Sequence, residues 1–145
     1  MDIKQISVFI ENKPGRLAAI TKFLAEHEVD IRAVSIADTR DFGILRLIVD
    51  DPDKTVKLLR DEGYTVSITS VIAVAMEDEP GSLAHILEIL YHSGVTVEYM
   101  YAFITRKDHD AYVVLRVEDE KARVATNILE KNGVVLASPD GIYSL

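Results

Sequence analysis

Residues 11–20 read ENKPGRLAAI, and residues 77–86 repeat the pattern as EDEPGSLAHI. The two stretches share glutamate, proline, glycine, leucine, alanine and isoleucine at matching positions. The match continues downstream, with Leu24 against Leu90 and Val29 against Val95. Self-similarity at a fixed spacing is the signature of a duplicated structural unit. The sequence therefore predicts two similar domains, over residues 1–69 and 70–145.

The order of strands and helices is predicted to be the same in both halves. Period-two alternation of apolar residues predicts a strand before each Pro-Gly pair, and apolar residues at helical spacing predict a helix after it. Further strands are predicted over residues 29–37, 43–49 and 64–68, and over 95–105, 111–117 and 134–137. Helices opened by Asp51 and Asp119 precede the last strand of each half. The order is βαββαβ twice, which predicts an α+β class with two ferredoxin-like units, each an antiparallel sheet with helices on one face.

The Pro-Gly turns and the junction between the halves carry further local signals. Pro14 and Pro80 suit the first turn of a helix, because no N–H group is needed there. Asn12 and Asp78 stand shortly before and are expected to cap the same helices. A short linker near residues 69–70 is expected to join the halves without letting them tumble independently.

Composition excludes several classes of partner. Sixteen lysines and arginines against 24 aspartates and glutamates give a net charge of −8. Such a chain repels phosphate backbones and anionic lipid heads, so we expect neither a nucleic-acid nor a membrane partner. The sequence has no cysteine, no apolar run long enough to span a bilayer and no signal-like N-terminus, which favours a cytoplasmic location. Domains this small bury a limited core, which favours a homodimer.

The motif N-x-P-G-x-L or D-x-P-G-x-L between a strand and a helix, inside a βαββαβ unit, resembles the ACT domain family. The resemblance covers essentially the whole chain, twice. ACT domains are regulatory modules that pair side by side and bind an amino acid near the turn between the first strand and the first helix. The resemblance therefore implies a non-catalytic regulatory protein that binds a free amino acid, needs no cofactor and acts on a partner enzyme or regulator. The implied ligand-binding residues are Asn12, Pro14, Gly15, Arg16 and Leu17, and Asp78, Pro80, Gly81, Ser82 and Leu83.

Those residue types suit an amino-acid ligand. A helix N-terminus offers free N–H groups with partial positive charge, and glycine lets a carboxylate approach them. Asn12 or Asp78 can accept a hydrogen bond from the ligand's ammonium group. Arg16 against Ser82 makes the two sites unequal. The alternative is that the Pro-Gly pairs only shape tight turns.

The predicted strand over residues 95–105 carries Tyr99, Tyr101 and Phe103 on one face, because side chains alternate along a strand. Core or interface packing accounts for three rings in a row. The functional alternative is that Tyr99 or Tyr101 lines the ligand pocket, which would suit an apolar or aromatic amino acid.

Catalysis and metal binding receive no support from motifs. His27, His85, His92 and His109 lack the spacing of a metal site, and no nucleophile motif or phosphate loop is present. Two further functions stay open beside the sensor. One is an oligomerising structural subunit of a biosynthetic enzyme that binds no ligand, and the other is a small hydrolase such as an acylphosphatase-like enzyme, which the acidic loops disfavour.

Overall fold

The computed structural model describes residues 2–38, 40–104 and 110–145. Contacts divide the chain into two compact units. The first unit contains residues 4–69 together with 142–145, and the second contains residues 2–3 and 70–141. The boundaries 1–69 and 70–145 for two functional domains stay a prediction.

The first unit is a four-stranded antiparallel sheet with two helices on one face. Its elements are β1 (Ile3–Glu11), α1 (Arg16–Glu26), β2 (Ile31–Asp38), β3 (Phe42–Val49), α2 (Pro52–Asp61) and the first part of β4 (Thr65–Glu77). The strand order is β2-β3-β1-β4, and Val8 of β1 lies opposite Leu45 of β3. The core includes Val8 and Leu45 from the sheet and Ile20 and Leu24 from α1, all buried. The predicted α+β class is confirmed.

The second unit repeats this arrangement. The rest of β4 is followed by α3 (Ser82–His92), β5 (Val97–Ile104), β6 (Asp110–Val117), α4 (Asp119–Lys131), β7 (Val135–Leu136) and a short helix α5 (Pro139–Tyr143). The strand order is β5-β6-β4-β7. Val74, Leu115, Leu90 and Leu129 belong to its buried core. Thr105, at the end of the strand predicted over 95–105, and His109 lie outside the described residues.

Strand β4 corrects the prediction of a linker near residues 69–70. The structure has one continuous strand of 13 residues, Thr65–Glu77, of which 65–69 belong to the first unit and 70–77 to the second. The segment TVSITSVIAVAME contains no glycine or proline and is rich in β-branched residues. Nothing in it interrupts an extended backbone, so the two predicted strands merge.

The last residues of the chain form a segment that the repeat did not predict. Ile142 has no exposed surface. The N–H of Lys4 donates to the phenol oxygen of Tyr143 at 2.8 Å, and Nε of Arg32 donates to its carbonyl at 2.8 Å. Residues 142–145 are thereby fixed within the first unit, whereas residues 139–141 of α5 belong to the second. A five-residue helix has too few positions to show a hydrophobic period, so periodicity could not predict it.

Helix α2 begins as predicted. The carboxylate of Asp51 accepts the N–H of Lys54 at 3.2 Å, and Pro52 follows at the first helical position. Among the described residues, no helix is long and apolar enough to cross a lipid bilayer.

Candidate functional site

The first turn, residues 11–17, joins β1 to α1. The N–H of Lys13 donates to the carbonyl of Glu11 at 2.9 Å, and the N–H of Arg16 donates to the carbonyl of Lys13 at 3.3 Å. Gly15 has φ 83° and ψ −7°, in the left-handed region, and stands directly before the helix. A side chain is strained in that conformation, so the backbone requires glycine there.

The second turn, residues 77–83, joins β4 to α3 with the same backbone. The N–H of Glu79 donates to the carbonyl of Glu77 at 2.9 Å, and the N–H of Ser82 donates to the carbonyl of Glu79 at 3.3 Å. Gly81 has φ 95° and ψ −18°. The repeated sequence therefore reproduces one turn conformation twice.

The space beside each turn is open. A Cβ atom added at Gly15 or Gly81 would meet no atom within 4 Å. No hydrogen bond found among the described residues uses the N–H of Leu17 or Leu83, the second residue of each helix. Free N–H groups and the helix dipole make such a helix start favourable for a carboxylate.

The predicted caps are wrong. Neither α1 nor α3 has a side-chain capping hydrogen bond, and the capping positions are held by Gly15 and Gly81. Asn12 and Asp78 stand three residues ahead of those glycines, too early to reach the first free N–H groups of the helix. The prolines precede the glycines and lie in the turn, outside the helix. The side chains of Asn12 and Asp78 therefore have no capping role.

Charges in the first turn compensate one another. Nζ of Lys13 lies 2.9 Å from Oε2 of Glu11, and Nη2 of Arg16 lies 3.8 Å from the same oxygen. The hydrogen bond from Lys13, and then the positive charges of Lys13 and Arg16, lower the pKa of the Glu11 carboxyl. The first turn thus holds one carboxylate between two cations.

The second turn has three carboxylates and no cation. Glu77 matches Glu11 in the repeat, but Glu79 and Ser82 replace the lysine and the arginine. Asp78 replaces the neutral asparagine. None of the ion pairs found among the described residues uses Glu77, Asp78 or Glu79. The two turns share a backbone and differ in charge.

A cavity of about 920 Å³ lies beside the second turn, within the second unit. It is lined by residues 75–77 of β4, residues 79–82 of the turn, His85 and Ile86 of α3, Tyr112 of β6, and residues 132–135 between α4 and β7. The volume is in the range of small-molecule pockets. Backbone, hydroxyl, amide, phenol, imidazole, carboxylate and apolar groups all contribute to its wall.

Part of the predicted ligand-binding site lies in the wall of this cavity. Pro80, Gly81 and Ser82 line it, whereas Asp78 and Leu83 do not. In the first turn, Asn12, Pro14, Gly15, Arg16 and Leu17 are all exposed to solvent.

Sequence reasoning missed three polar residues of the cavity wall. His85 was considered only as a metal ligand, and Asn132 follows the end of α4. Tyr112 lies opposite Ala75, because β6 pairs with β4. His85 has a side chain that can form hydrogen bonds and lies one helical turn after Gly81, and this spacing could have indicated it. No local signal indicates Tyr112 or Asn132.

The aromatic face of β5 contributes to the cavity indirectly. Burial alternates along the strand as predicted, with Tyr99, Tyr101 and Phe103 half-buried. Phe103 stacks on Tyr112 with ring centroids 5.4 Å apart and planes 16° apart. Tyr99 and Tyr101 do not line this cavity, and their contact with a ligand stays a prediction.

Metal ligands do not come together in the part of the chain that the structure describes. No three histidine, aspartate or glutamate side chains there are close enough to share an ion. His85 and His92 are both exposed on α3.

Comparison with known proteins agrees with the architecture. A family model described as an ACT domain pair matches residues 1–140, and the chain belongs to that family of regulatory modules. A solved structure, protein BT0572 from Bacteroides thetaiotaomicron, is 40% identical, with a TM-score of 0.92 over 100% of this chain and 98% of that one. The regulatory subunits of aspartate kinase from Thermus thermophilus and Thermus flavus have TM-scores of 0.64 and 0.63. They are 15% and 16% identical over 90% of this chain and 93% and 92% of theirs, which shows a shared fold alone. No curated protein sequence matches the chain.

Proposed function

We propose that this tandem ACT domain protein is a cytoplasmic, non-catalytic sensor that binds a free amino acid and regulates a partner enzyme. The observation that carries the proposal is the cavity of about 920 Å³ against the Pro-Gly turn of the second unit. A concave site with mixed apolar and polar lining beside a helix N-terminus is a favourable place for a small zwitterion. The solved structures with the same fold include regulatory subunits of an enzyme.

The second turn would bind both charged ends of the amino acid. The α-carboxylate would accept hydrogen bonds from the free N–H groups at the start of α3, where Gly81 leaves open space. The α-ammonium would donate to a carboxylate of the turn, either Glu79, which lines the cavity, or Asp78, which does not. Pro80 fixes the path of the chain between these groups, and Ser82 and Leu83 begin the helix.

The first turn is the second candidate site. Asn12, Pro14, Gly15, Arg16 and Leu17 stand at the matching positions. Arg16 would add positive charge to carboxylate binding, although it shares the Glu11 carboxylate with Lys13.

Regulation would follow if the amino acid bound two conformations of the protein with different affinities. A ligand shifts a conformational equilibrium by as much as its affinity differs between the two states. We expect a homodimer in which an amino acid changes how the protein meets its partner enzyme. Scattering profiles that stay unchanged on ligand addition would count against this switch.

A second function, an oligomerising structural subunit without a ligand, is favoured by one observation. Val34 and Ile36 on strand β2 are 56% and 47% exposed. In the first unit β2 is an edge strand of the sheet, and an apolar edge is a surface that proteins usually cover. This function predicts a stable oligomer and no response to amino acids.

A thermal-shift screen of the full chain against the twenty amino acids separates the two functions. A ligand at 100 times its dissociation constant stabilises the folded state by about 2.7 kcal/mol. A selective rise in Tm that is lost in Gly81→Val, and kept in Gly15→Val, supports sensing at the second turn, whereas the reverse pattern supports the first turn. No shift with any amino acid refutes the sensor, and light scattering then tests the structural subunit.

A further inference from the structure

We propose that residues 132–145 are a regulatory link, which connects the wall of the cavity in the second unit to strands β1 and β2 of the first. Occupation of the cavity would make the contacts of this segment with β1 and β2 open less often. The inference rests on the proposed function only for the occupation of the cavity, and the link itself does not depend on a ligand.

The segment begins in the wall of the cavity. Residues 132–135 line the cavity, and β7 starts within them. Val135 lies opposite Ala75 of β4, which lines the same cavity. The N–H of Ala137 extends this pairing by donating to the carbonyl of Ala73 at 2.8 Å. A ligand in the cavity would therefore contact the strand from which the rest of the segment continues.

The connection from β7 onward is short and held by a hydrogen bond. Residues 137–141 separate β7 from Ile142, at which the chain enters the first unit. Oγ of Ser138, just before α5, accepts the N–H of Gly141 at 3.0 Å. A Cβ atom added at Gly141 would lie 2.9 Å from the same oxygen, so the two residues approach closely. Hydrogen-bonded networks and short rigid elements can carry coupling between distant sites.

The segment ends in a strap, residues 142–145, which holds the starts of two strands in the first unit. Ile142 is fully buried. The phenol oxygen of Tyr143 accepts the N–H of Lys4 in β1, and its carbonyl accepts Nε of Arg32 in β2, both at 2.8 Å. One residue thereby joins two strands that are not neighbours in the sheet. A segment held by few contacts can open locally without global unfolding, which gives the strap a docked and a released state.

The repeat shows that the strap contact is specific to the first unit. The pairing register shifts at Arg32 in β2 and at Glu98, the matching residue, in β5. A bulge of this kind can direct a side chain out of the alternating pattern of a strand. Glu98 lies 3.7 Å from Nε of Arg116, within the second unit. The same strand position therefore serves an internal ion pair in one unit and the strap in the other.

Amide hydrogen exchange of the full chain, followed by NMR, tests the link at the N–H of Lys4, which is bonded to the strap. Tyr143→Phe removes the acceptor and should speed this exchange about two- to tenfold, as for one neutral hydrogen bond. Val135→Gly loosens β7 at a side chain that is 64% exposed and should speed it about two- to fivefold. The matched control is Ile104→Gly, which changes a side chain 69% exposed on β5, a strand that does not continue into the strap.

Two results would overturn the link. Equal exchange at Lys4 in the Val135→Gly and Ile104→Gly variants would show that β7 has no special connection to the strap. Unchanged exchange at Lys4 in Tyr143→Phe would show that the strap does not protect β1.

A second experiment adds a mixture of the twenty amino acids, at equal concentrations, as the probe. We expect slower exchange at the N–H of Val134 in the cavity wall and at the N–H of Lys4, with the response of Lys4 lost in Tyr143→Phe. Slower exchange at Val134 with no change at Lys4 would overturn the link and leave amino-acid sensing standing. No change at either group would refute the proposed function, while the comparison of Val135→Gly with Ile104→Gly still decides the link.

Discussion

Substituting Gly81 by alanine should separate the role of the turn in stability from its role in binding. Gly81 has φ 95°, where an L-residue costs about 1–2 kcal/mol. The added Cβ would meet no atom within 4 Å, so no steric clash adds to that cost. For a chain of this size the loss corresponds to a fall in Tm of roughly 2–8 °C. The methyl group would stand in the open space that the ligand carboxylate is proposed to enter.

The matched control is Gly63→Ala. Gly63 has φ 99°, and its added Cβ would also meet no atom within 4 Å. It lies after α2 in the first unit and does not line the cavity beside Gly81. Both variants should lose similar stability in thermal or chemical denaturation. Gly81→Ala alone should weaken amino-acid binding, by about tenfold or more if a hydrogen bond to the charged carboxylate is lost.

Two results would refute this reasoning. A Gly81→Ala variant as stable as the unmodified chain would show that the residue does not have a left-handed backbone. Equal ligand affinity in Gly81→Ala and Gly63→Ala would show that the carboxylate does not lie beside this turn.

The remaining predictions concern the packing, capping and charge of the first unit, with one control variant in the second. Ile142→Ala should lower the free energy of unfolding by about 2–5 kcal/mol, because Ile142 is fully buried, and denaturant titration measures the loss. Asp51→Ala should cost about 0.5–2 kcal/mol in the same assay because it removes the cap of α2. Glu118→Ala should cost much less, since Glu118 makes no capping bond to α4, and equal losses would contradict the assigned cap. Lys13→Ala should raise the pKa of Glu11 towards the ordinary value of glutamate, observed by NMR titration of its carboxyl group. A lowered carboxyl pKa contributes stability above the unfolded-state pKa, and this contribution is lost as the pH falls through the folded-state pKa. The stability difference between the Lys13→Ala variant and the unmodified chain should therefore vanish on acidification, and a difference that grows would contradict the ion pair.

Three of the predicted site residues line the cavity for a physical reason, and their role in binding stays a prediction. Pro80, Gly81 and Ser82 line the cavity because a short motif with one glycine in the left-handed region determines its own local backbone. The prediction that Asn12 and Asp78 cap the helices was wrong because Gly15 and Gly81 take the capping positions. Composition alone does not indicate this. The prediction of a linker failed because a boundary between repeats need not interrupt a strand.

The sequence by itself determined the α+β class, the two βαββαβ units and the duplicated Pro-Gly turns. These features depend on contacts between neighbours in the chain, and therefore appear as periodicity, spacing and residue type. Only the tertiary structure showed the cavity beside the second turn. Strand pairing places Tyr112 opposite Ala75, and the end of α4 brings residues 132–135 to the same wall. Packing also buries Ile142 at the end of the chain. These contacts join residues far apart in sequence, which no local pattern specifies.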